Sequence, residues 1–244
     1  MNQYYIQSYP DALHTKVIAI PILADNYVYI LTDDTKNAFI IDPGEAEPVI
    51  EVITELGLTP TYLLVTHSHH DHIDGVPKIQ VEYPQIKKIN FANVACDSES
   101  FVWNNRRFEV FKTPGHWPDH ICFFVPECKI LFCGDIVFRF GCGRIFEGTF
   151  QELYSSLQKV KRLPPETDLF CTHEYTQVNL AFCLYHSLIK STDFTVAEKQ
   201  KIDSVPSLPV PLSVELKYNP FLRASSFEEF SRLRTMRNSF RYEK

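Results

Sequence analysis

Thr66-His67-Ser68-His69-His70-Asp71-His72 decides how this chain is read. It packs imidazoles and a carboxylate directly behind the apolar run Tyr62-Leu63-Leu64-Val65. A buried strand there delivers the cluster to a loop. Neutral imidazole and carboxylate together suit zinc, and also iron or manganese. Alternate residues His67 and His69 project to one side, and the turn after Asp71 brings His72 round. A solvated polar loop with incidental histidines would show no such spacing.

Further ligand-type residues answer the cluster downstream. Thr113-Pro114-Gly115-His116 places a histidine at a tight turn after a strand, and Phe132-Cys133-Gly134-Asp135 ends a strand with a carboxylate. Cys171-Thr172-His173-Glu174-Tyr175 ends the last strand with another histidine, and Gly141-Cys142-Gly143-Arg144 is a flexible loop bearing an arginine. The ligand candidates share the end of an apolar strand, where a rigid sheet holds site geometry.

Around these motifs the chain reads as mixed α/β. Strand patterns cover 16–23, 26–32, 38–42, 60–66, 107–112, 121–125, 129–133 and 168–172. Helical spacing covers 47–56, stopped by Gly57, and 74–83 returns as a helix. Thr149 is the expected N-cap of a helix to about Leu163, ended by Pro164-Pro165. After Tyr175 the texture turns helical: 177–189, 196–204 and 227–240, with a stretch spaced by Pro206, Pro209 and Pro211 between the last two. Strands followed by helices, without an internal repeat, give a mixed core with a helical appendage.

Composition narrows the function classes. The 244 residues are 45% hydrophobic and 22% charged, which is globular and long enough for one large domain plus a small appendage. No run approaches the roughly 18 apolar residues of a membrane span, and the N-terminal residues lack the pattern of a secretory signal. Seven scattered cysteines without a Cys-x-x-Cys pair suit a reducing cytoplasm better than a disulfide framework. A net charge of −6 argues against nucleic acid as a partner. It is unevenly spread: residues 223–244 hold six basic and three acidic side chains, net +3, leaving −9 elsewhere. A basic patch facing a metal cleft suits a small anionic substrate, while a basic solvated helix end is the plainer reading.

Thr-His-x-His-x-Asp-His, then Pro-Gly-His, Gly-Asp and a final histidine, resembles the metallo-β-lactamase superfamily over about residues 17–175. Gly141-Cys142-Gly143-Arg144, His173-Glu174-Tyr175-Thr176 and Asn219-Pro220-Phe221-Leu222-Arg223 are similar to the hydroxyacylglutathione hydrolases (glyoxalase II) within it. The resemblance implies an α/β fold, a metallo-β-lactamase-like αββα sandwich with a C-terminal helical domain. Residues 1–175 would be catalytic and 176–244 would bind glutathione.

The same resemblance implies two divalent metal ions, zinc with iron or manganese as substitutes. His67, His69 and His116 would hold the first, Asp71, His72 and His173 the second, and Asp135 would bridge them. Paired cations share a water, lower its pKa and supply hydroxide to a thioester carbonyl. Asp71, beyond ligating, could also orient that nucleophile. Family glutathione contacts map onto Arg144, Tyr175, Arg234 and Arg237. Phe146 stands where the family often has tyrosine, and Arg144 and Arg237 where it often has lysine. The implied reaction is hydrolysis of S-D-lactoylglutathione to D-lactate and glutathione, the second step of methylglyoxal detoxification, by a cytoplasmic monomer without nucleic-acid or membrane partners. The alternatives are a glutathione persulfide dioxygenase with a single iron and a non-catalytic metal-binding module. A β-lactamase would be expected to carry an export signal and a tRNA-processing nuclease a large basic surface or an inserted RNA-gripping arm, neither of which is read here, and a lactonase would leave the Gly-Cys-Gly-Arg and Asn-Pro-Phe matches unexplained.

The remaining histidines have plainer readings. His70 should point away from the site. His120 is either a support for the ligands or a core hydrogen bonder, and His14 and His186 are structural or exposed. Asp74 would orient a ligand histidine or sit at a helix N-terminus.

Overall fold

The computed structural model describes residues 3–11 and 13–242. The first of two six-stranded sheets runs β1 (Tyr5–Ser8), β2 (Lys16–Ile22), β3 (Asn26–Thr32), β4 (Asn37–Ile41), β5 (Thr59–Leu64) and β6 (Lys87–Ile89), in that spatial order. It is antiparallel to β4, and β5 and β6 then add in parallel. Parallel addition needs a crossover. Helix α1 (Glu47–Leu56) provides the first, and the single turn α2 (His70–Ile73) with α3 (Val76–Glu82) the second.

The chain continues through β7 (Glu99–Trp103), β8 (Arg106–Lys112), β9 (Ile121–Val125) and β10 (Ile130–Gly134). A ribbon of β11 (Val137–Phe138) and β12 (Gly141–Cys142), helix α4 (Phe150–Val160) and β13 (Asp168–Cys171) follow. In the tail, α5 (Thr176–Tyr185) and α6 (Val196–Asp203) precede β14 (Val210–Pro211), α7 (Leu212–Tyr218), α8 (Pro220–Arg223) and α9 (Phe227–Ser239). The second sheet has the order β14-β13-β10-β9-β8-β7, so a tail strand forms its edge.

Period-two alternation builds the layers. Val17, Ala19, Tyr27, Tyr29, Leu31, Phe39 and Ile41 point inward and join the core shared with the second sheet. Their neighbours Ile18, Ile20, Val28, Ile30 and Ile40 point outward, against Val49, Val52 and Ile53 of α1 and Ile79 of α3. On the opposite side Leu153, Leu157 and Val160 of α4 join the shared core. Both faces of each sheet are therefore covered, which is the αββα sandwich. Each fully buried Phe, Ile or Leu contributes roughly 1.5–3 kcal/mol by leaving water. Phe182, Phe221 and Phe230 of the tail belong to the same core as Phe132 and Phe170 of the second sheet.

Helix ends follow their caps. Gly57, at φ 62°, donates to the carbonyls of Ile53 and Thr54 and stops α1. Thr149 and Glu152 form a reciprocal capping box at the start of α4. Three sequence expectations need correction. The helix read over 74–83 begins at Val76, and a separate turn, His70–Ile73, lies inside the histidine cluster. The helix read over 177–189 is Thr176–Tyr185, broken where Ser187 takes φ 54°. The proline-spaced stretch contains β14 and leads directly into α7.

Cross-sheet backbone bonds close one edge of the sandwich. Tyr27 N donates to Thr172 O at 2.7 Å, Ile121 N to Thr66 O at 2.8 Å and Glu174 N to Asp25 O at 2.8 Å. The loops after β5, β8, β10 and β13 all emerge there.

Candidate metal centre

Local backbone demands explain how each side chain arrives. His69 leaves β5 extended, with φ −66° and ψ 146°, and α2 then carries Asp71 and His72 on one helical turn. The second half of the cluster is thus helical and not loop. His116 sits on the β8–β9 turn beside Gly115, whose φ is 132° and whose added Cβ would lie 2.3 Å from Leu153 N. Asp135 follows Gly134 at φ 47°, where a Cβ would lie 2.6 Å from Thr66 Oγ1. No residue with a side chain fits either position. His173 pairs with Asn26 of the first sheet as an isolated bridge.

Two donor groups result. His69 Nδ1 lies 2.9 Å from His67 Nε2 and 3.1 Å from His116 Nε2. Nitrogens on a tetrahedral zinc at its usual bond length stand about 3.3 Å apart, so this spacing is that of a ligand set. In the second group, Asp71 Oδ2 lies 3.6 Å from His72 Nε2 and 3.3 Å from His173 Nε2. Asp135 stands between the groups. Its Oδ1 is 3.6 Å from His72 Nε2, and its Oδ2 is 3.4 Å from His116 Nε2 and 3.3 Å from His173 Nε2. His72 Nε2 and Asp135 Oδ1 are buried without a hydrogen-bond partner among the described residues. Native interiors rarely leave such atoms orphaned. A divalent cation satisfies both, so the residues present fit a metal.

The other nitrogen of four rings is held in place. His72 Nδ1 donates to Asp42 Oδ2 at 3.0 Å, His173 Nδ1 to Asp25 Oδ1 at 2.9 Å and His116 Nδ1 to the Arg144 carbonyl at 2.6 Å. Thr66 Oγ1 gives its only proton to Asp42 Oδ2 at 2.7 Å, so it accepts from His67 Nδ1 at 3.1 Å. These bonds fix the tautomers and aim each Nε2 at the centre. Asp42 also accepts from Thr66 N and is held at φ 52°, in the left-handed region. Sequence reasoning missed Asp42 and Asp25. The only signal for Asp42 was its place before Pro43-Gly44 at a strand end.

Electrostatics divides the histidines. Burial pushes the pKa values of His67, His69 and His116 down, so their lone pairs are free near neutral pH. Burial also opposes charge on His72 and His173, but nearby carboxylates outweigh it and push both up: Asp42 and Asp135 for His72, Asp135, Asp25 and Asp71 for His173. Burial works against ionised Asp71 and Asp135, yet His173 and His72 hold both carboxyls below the usual range.

His70 points outward and pairs with Asp74 at 3.0 Å, so neither orients a ligand. His14 pairs with Asp34 on the surface, and His186 packs on Phe182 and Phe240. His120 is buried and accepts from Asp135 N at 3.1 Å.

The centre opens into a cavity of about 400 Å³ lined by Arg144, Tyr175, Arg234 and Arg237, and also by Arg241, Asn179 and Cys142, which were not among the expected substrate contacts. Tyr175 stacks on His173 at 4.7 Å and 4°. Phe146, more than half exposed, stands edge-on to His69 and His116 at 5.2 and 5.3 Å. Arg234 is buried, and its Nη1 donates to Cys142 O at 2.8 Å and Gly143 O at 3.3 Å. Arg237 Nε donates to Asn179 Oδ1 at 3.2 Å.

A four-layer sandwich with paired His/Asp groups at one edge defines the class. Residues 23–90 and 83–173 match the metallo-β-lactamase superfamily. Among solved structures, ETHE1 from Myxococcus xanthus superposes with a TM-score of 0.66 at 25% identity, covering 87% of this chain and 86% of that one. The BLEG-1 B3 metallo-β-lactamase has a TM-score of 0.64 at 22% identity, covering 90% of this chain and 100% of that one, a likeness of fold. Residues 174–240 match the C-terminal region of hydroxyacylglutathione hydrolase. The hydroxyacylglutathione hydrolase of Bdellovibrio bacteriovorus is 40% identical, covering 90% of this chain and 96% of its own length. That of Pelagibacter ubique is 36% identical, covering 91% and 98%. The chain belongs to the hydroxyacylglutathione hydrolase family of the metallo-β-lactamase superfamily.

Proposed function

We propose that this protein hydrolyses 2-hydroxyacylglutathione thioesters, S-D-lactoylglutathione foremost, to the hydroxy acid and glutathione. In that role it carries out the second step of methylglyoxal detoxification. One observation carries the reading: Asp135 stands between two imidazole groups on the wall of a cavity that also presents four arginines. His67, His69 and His116 would hold one divalent ion, Asp71, His72 and His173 would hold a second, and Asp135 would be shared, with zinc, iron or manganese all suited to the donors. Bound there, such ions lower the pKa of water and polarise a carbonyl.

The chain's own residues set up the rest. Arg144, Arg234 and Arg237 place positive charge where the two glutathione carboxylates enter. Tyr175, stacked on His173, and Phe146, beside His69 and His116, wall the reacting carbonyl on either side. Hydroxide adds to the carbonyl carbon, the C–S bond breaks, and glutathione leaves as a thiolate. A thiol pKa of about 8.5 makes a dedicated acid unnecessary. Residues 1–175 form the catalytic part of this reading, and 176–244 the glutathione-binding part.

The test is to assay purified protein with S-D-lactoylglutathione and, in parallel, with glutathione persulfide under oxygen-uptake measurement. Thioester hydrolysis without oxygen uptake is expected. Oxygen uptake without hydrolysis would replace this reading with a dioxygenase.

A further inference from the structure

We infer that His120 is a positioning residue for Asp135: a buried neutral imidazole that accepts the Asp135 backbone N–H and aims the carboxylate standing between the two ligand groups. The inference rests on the proposed sharing of Asp135.

His120 follows His116 on the turn into β9 and has no exposed surface. Its Nε2 accepts from Asp135 N at 3.1 Å, so the ring proton sits on Nδ1, which donates to Thr113 Oγ1 at 2.8 Å. One neutral tautomer satisfies both bonds, and a proton on Nε2 would set donor against donor. The occupied Nε2 also rules His120 out as a ligand, although it sits among ligands.

The ring stacks on His67 with centroids 5.0 Å apart and planes 30° apart. His120 therefore touches a member of the first group and the backbone of the shared carboxylate at once. Asp135 Oδ1 has no hydrogen-bond partner among the described residues, while Oδ2 lies against His116 and His173, so the backbone that carries the side chain helps to set its aim. That backbone is confined: Gly134 is left-handed at φ 47°, and a Cβ there would lie 2.7 Å from His120 Nε2. Thr113, also fully buried, completes the chain Thr113–His120–Asp135 from the end of β8 to the end of β10. Supports of this kind change metal affinity by about 10- to 100-fold.

The experiment measures zinc affinity at both positions by chelator competition in wild type, His120→Leu, His120→Gln and Thr113→Val. Far-UV circular dichroism and thermal melts of the metal-free proteins accompany it. His120→Leu is expected to lose about 10- to 100-fold in affinity at both positions, because Asp135 spans them. His120→Gln, whose amide oxygen can accept from Asp135 N, should recover part of that loss. Thr113→Val should weaken both positions by a smaller factor. A folded His120→Leu protein with wild-type affinities overturns the inference. If that variant does not fold, unchanged affinities in Thr113→Val overturn it. A metal-independent readout separates this from the functional reading: ¹⁵N shifts of the His120 ring in metal-free wild type should show the Nδ1-protonated neutral form. The opposite tautomer overturns the inference whatever the enzyme hydrolyses. Wild type that binds zinc at one position only, with the expected tautomer, overturns the sharing of Asp135 instead.

Discussion

The metal centre and the arginine wall border one cavity but are built on different terms. At the centre, Asp42, Asp25, Thr66 and the Arg144 carbonyl each take the far nitrogen of a ring, leaving the near nitrogen for a ligand. On the wall, the same guanidinium does both tasks. Arg234 holds the Cys142 and Gly143 carbonyls while lining the cavity, and Arg237 holds Asn179. On the proposed reading, the centre separates positioning from chemistry, whereas the wall combines docking of the tail with recognition. Substitutions at the centre should therefore change metal binding and catalysis, and those on the wall should change substrate affinity and stability together.

The largest expected effect is on the centre side. Asp135→Ala should lose metal at both positions and lower kcat by about 10³-fold, the scale of removing a group that acts on the transition state. Metal analysis with steady-state kinetics checks it, and retention of two metals would end the shared role.

Next comes a tail residue that grips the ribbon before the arginine loop. Glu215 of α7 is fully buried, and its Oε2 accepts from Phe140 N at 2.8 Å and Asn219 Nδ2 at 2.9 Å. Burial pushes its carboxyl up from 4.5 to about 7, against the pull of the Phe140 N–H, Asn219 and Arg139. The folded chain thus binds this proton more tightly than the unfolded one. The resulting stability is fully present below pH 4.5 and lost as pH rises through about 7. Glu215→Gln stays neutral throughout, so its stability relative to wild type should rise by about 3 kcal/mol between pH 4.5 and 8. Denaturant unfolding across that range reads it, and a pH-independent difference would mean that Glu215 does not titrate there.

The smallest effect tests the doubled role directly. Arg234→Ala should raise KM about tenfold with little change in kcat, the mark of lost uniform binding. It should also cost about 1–3 kcal/mol of stability from buried carbonyls left unpaired. A raised KM with an unchanged melting temperature would show that recognition and docking are separable.

Much of this was legible in the sequence because it is local. The His67–His72 spacing, Gly115-His116 and Gly134-Asp135 each place a donor after a strand, and alternation in 16–23 and 26–32 marks half of the sandwich. What stayed hidden depends on partners far along the chain. Asp42 meets His72 thirty residues later, and Asp25 meets His173 at a separation of 148. An isolated aspartate at a strand end reads as an ordinary turn residue. Strand β14 escaped because two residues, one of them Pro211, carry no periodicity. Asn219, visible as part of a motif, shows its purpose only in the fold, where Nδ2 donates to the Phe138 and Gly141 carbonyls and ties the tail to the ribbon.

The most direct test is to strip the protein with chelator, add back zinc in steps and follow bound metal together with S-D-lactoylglutathione hydrolysis. Hydrolysis is expected to return as binding proceeds to two ions per chain and to be absent from the stripped protein. Full activity in the stripped protein, or two bound ions with no hydrolysis, would contradict the account.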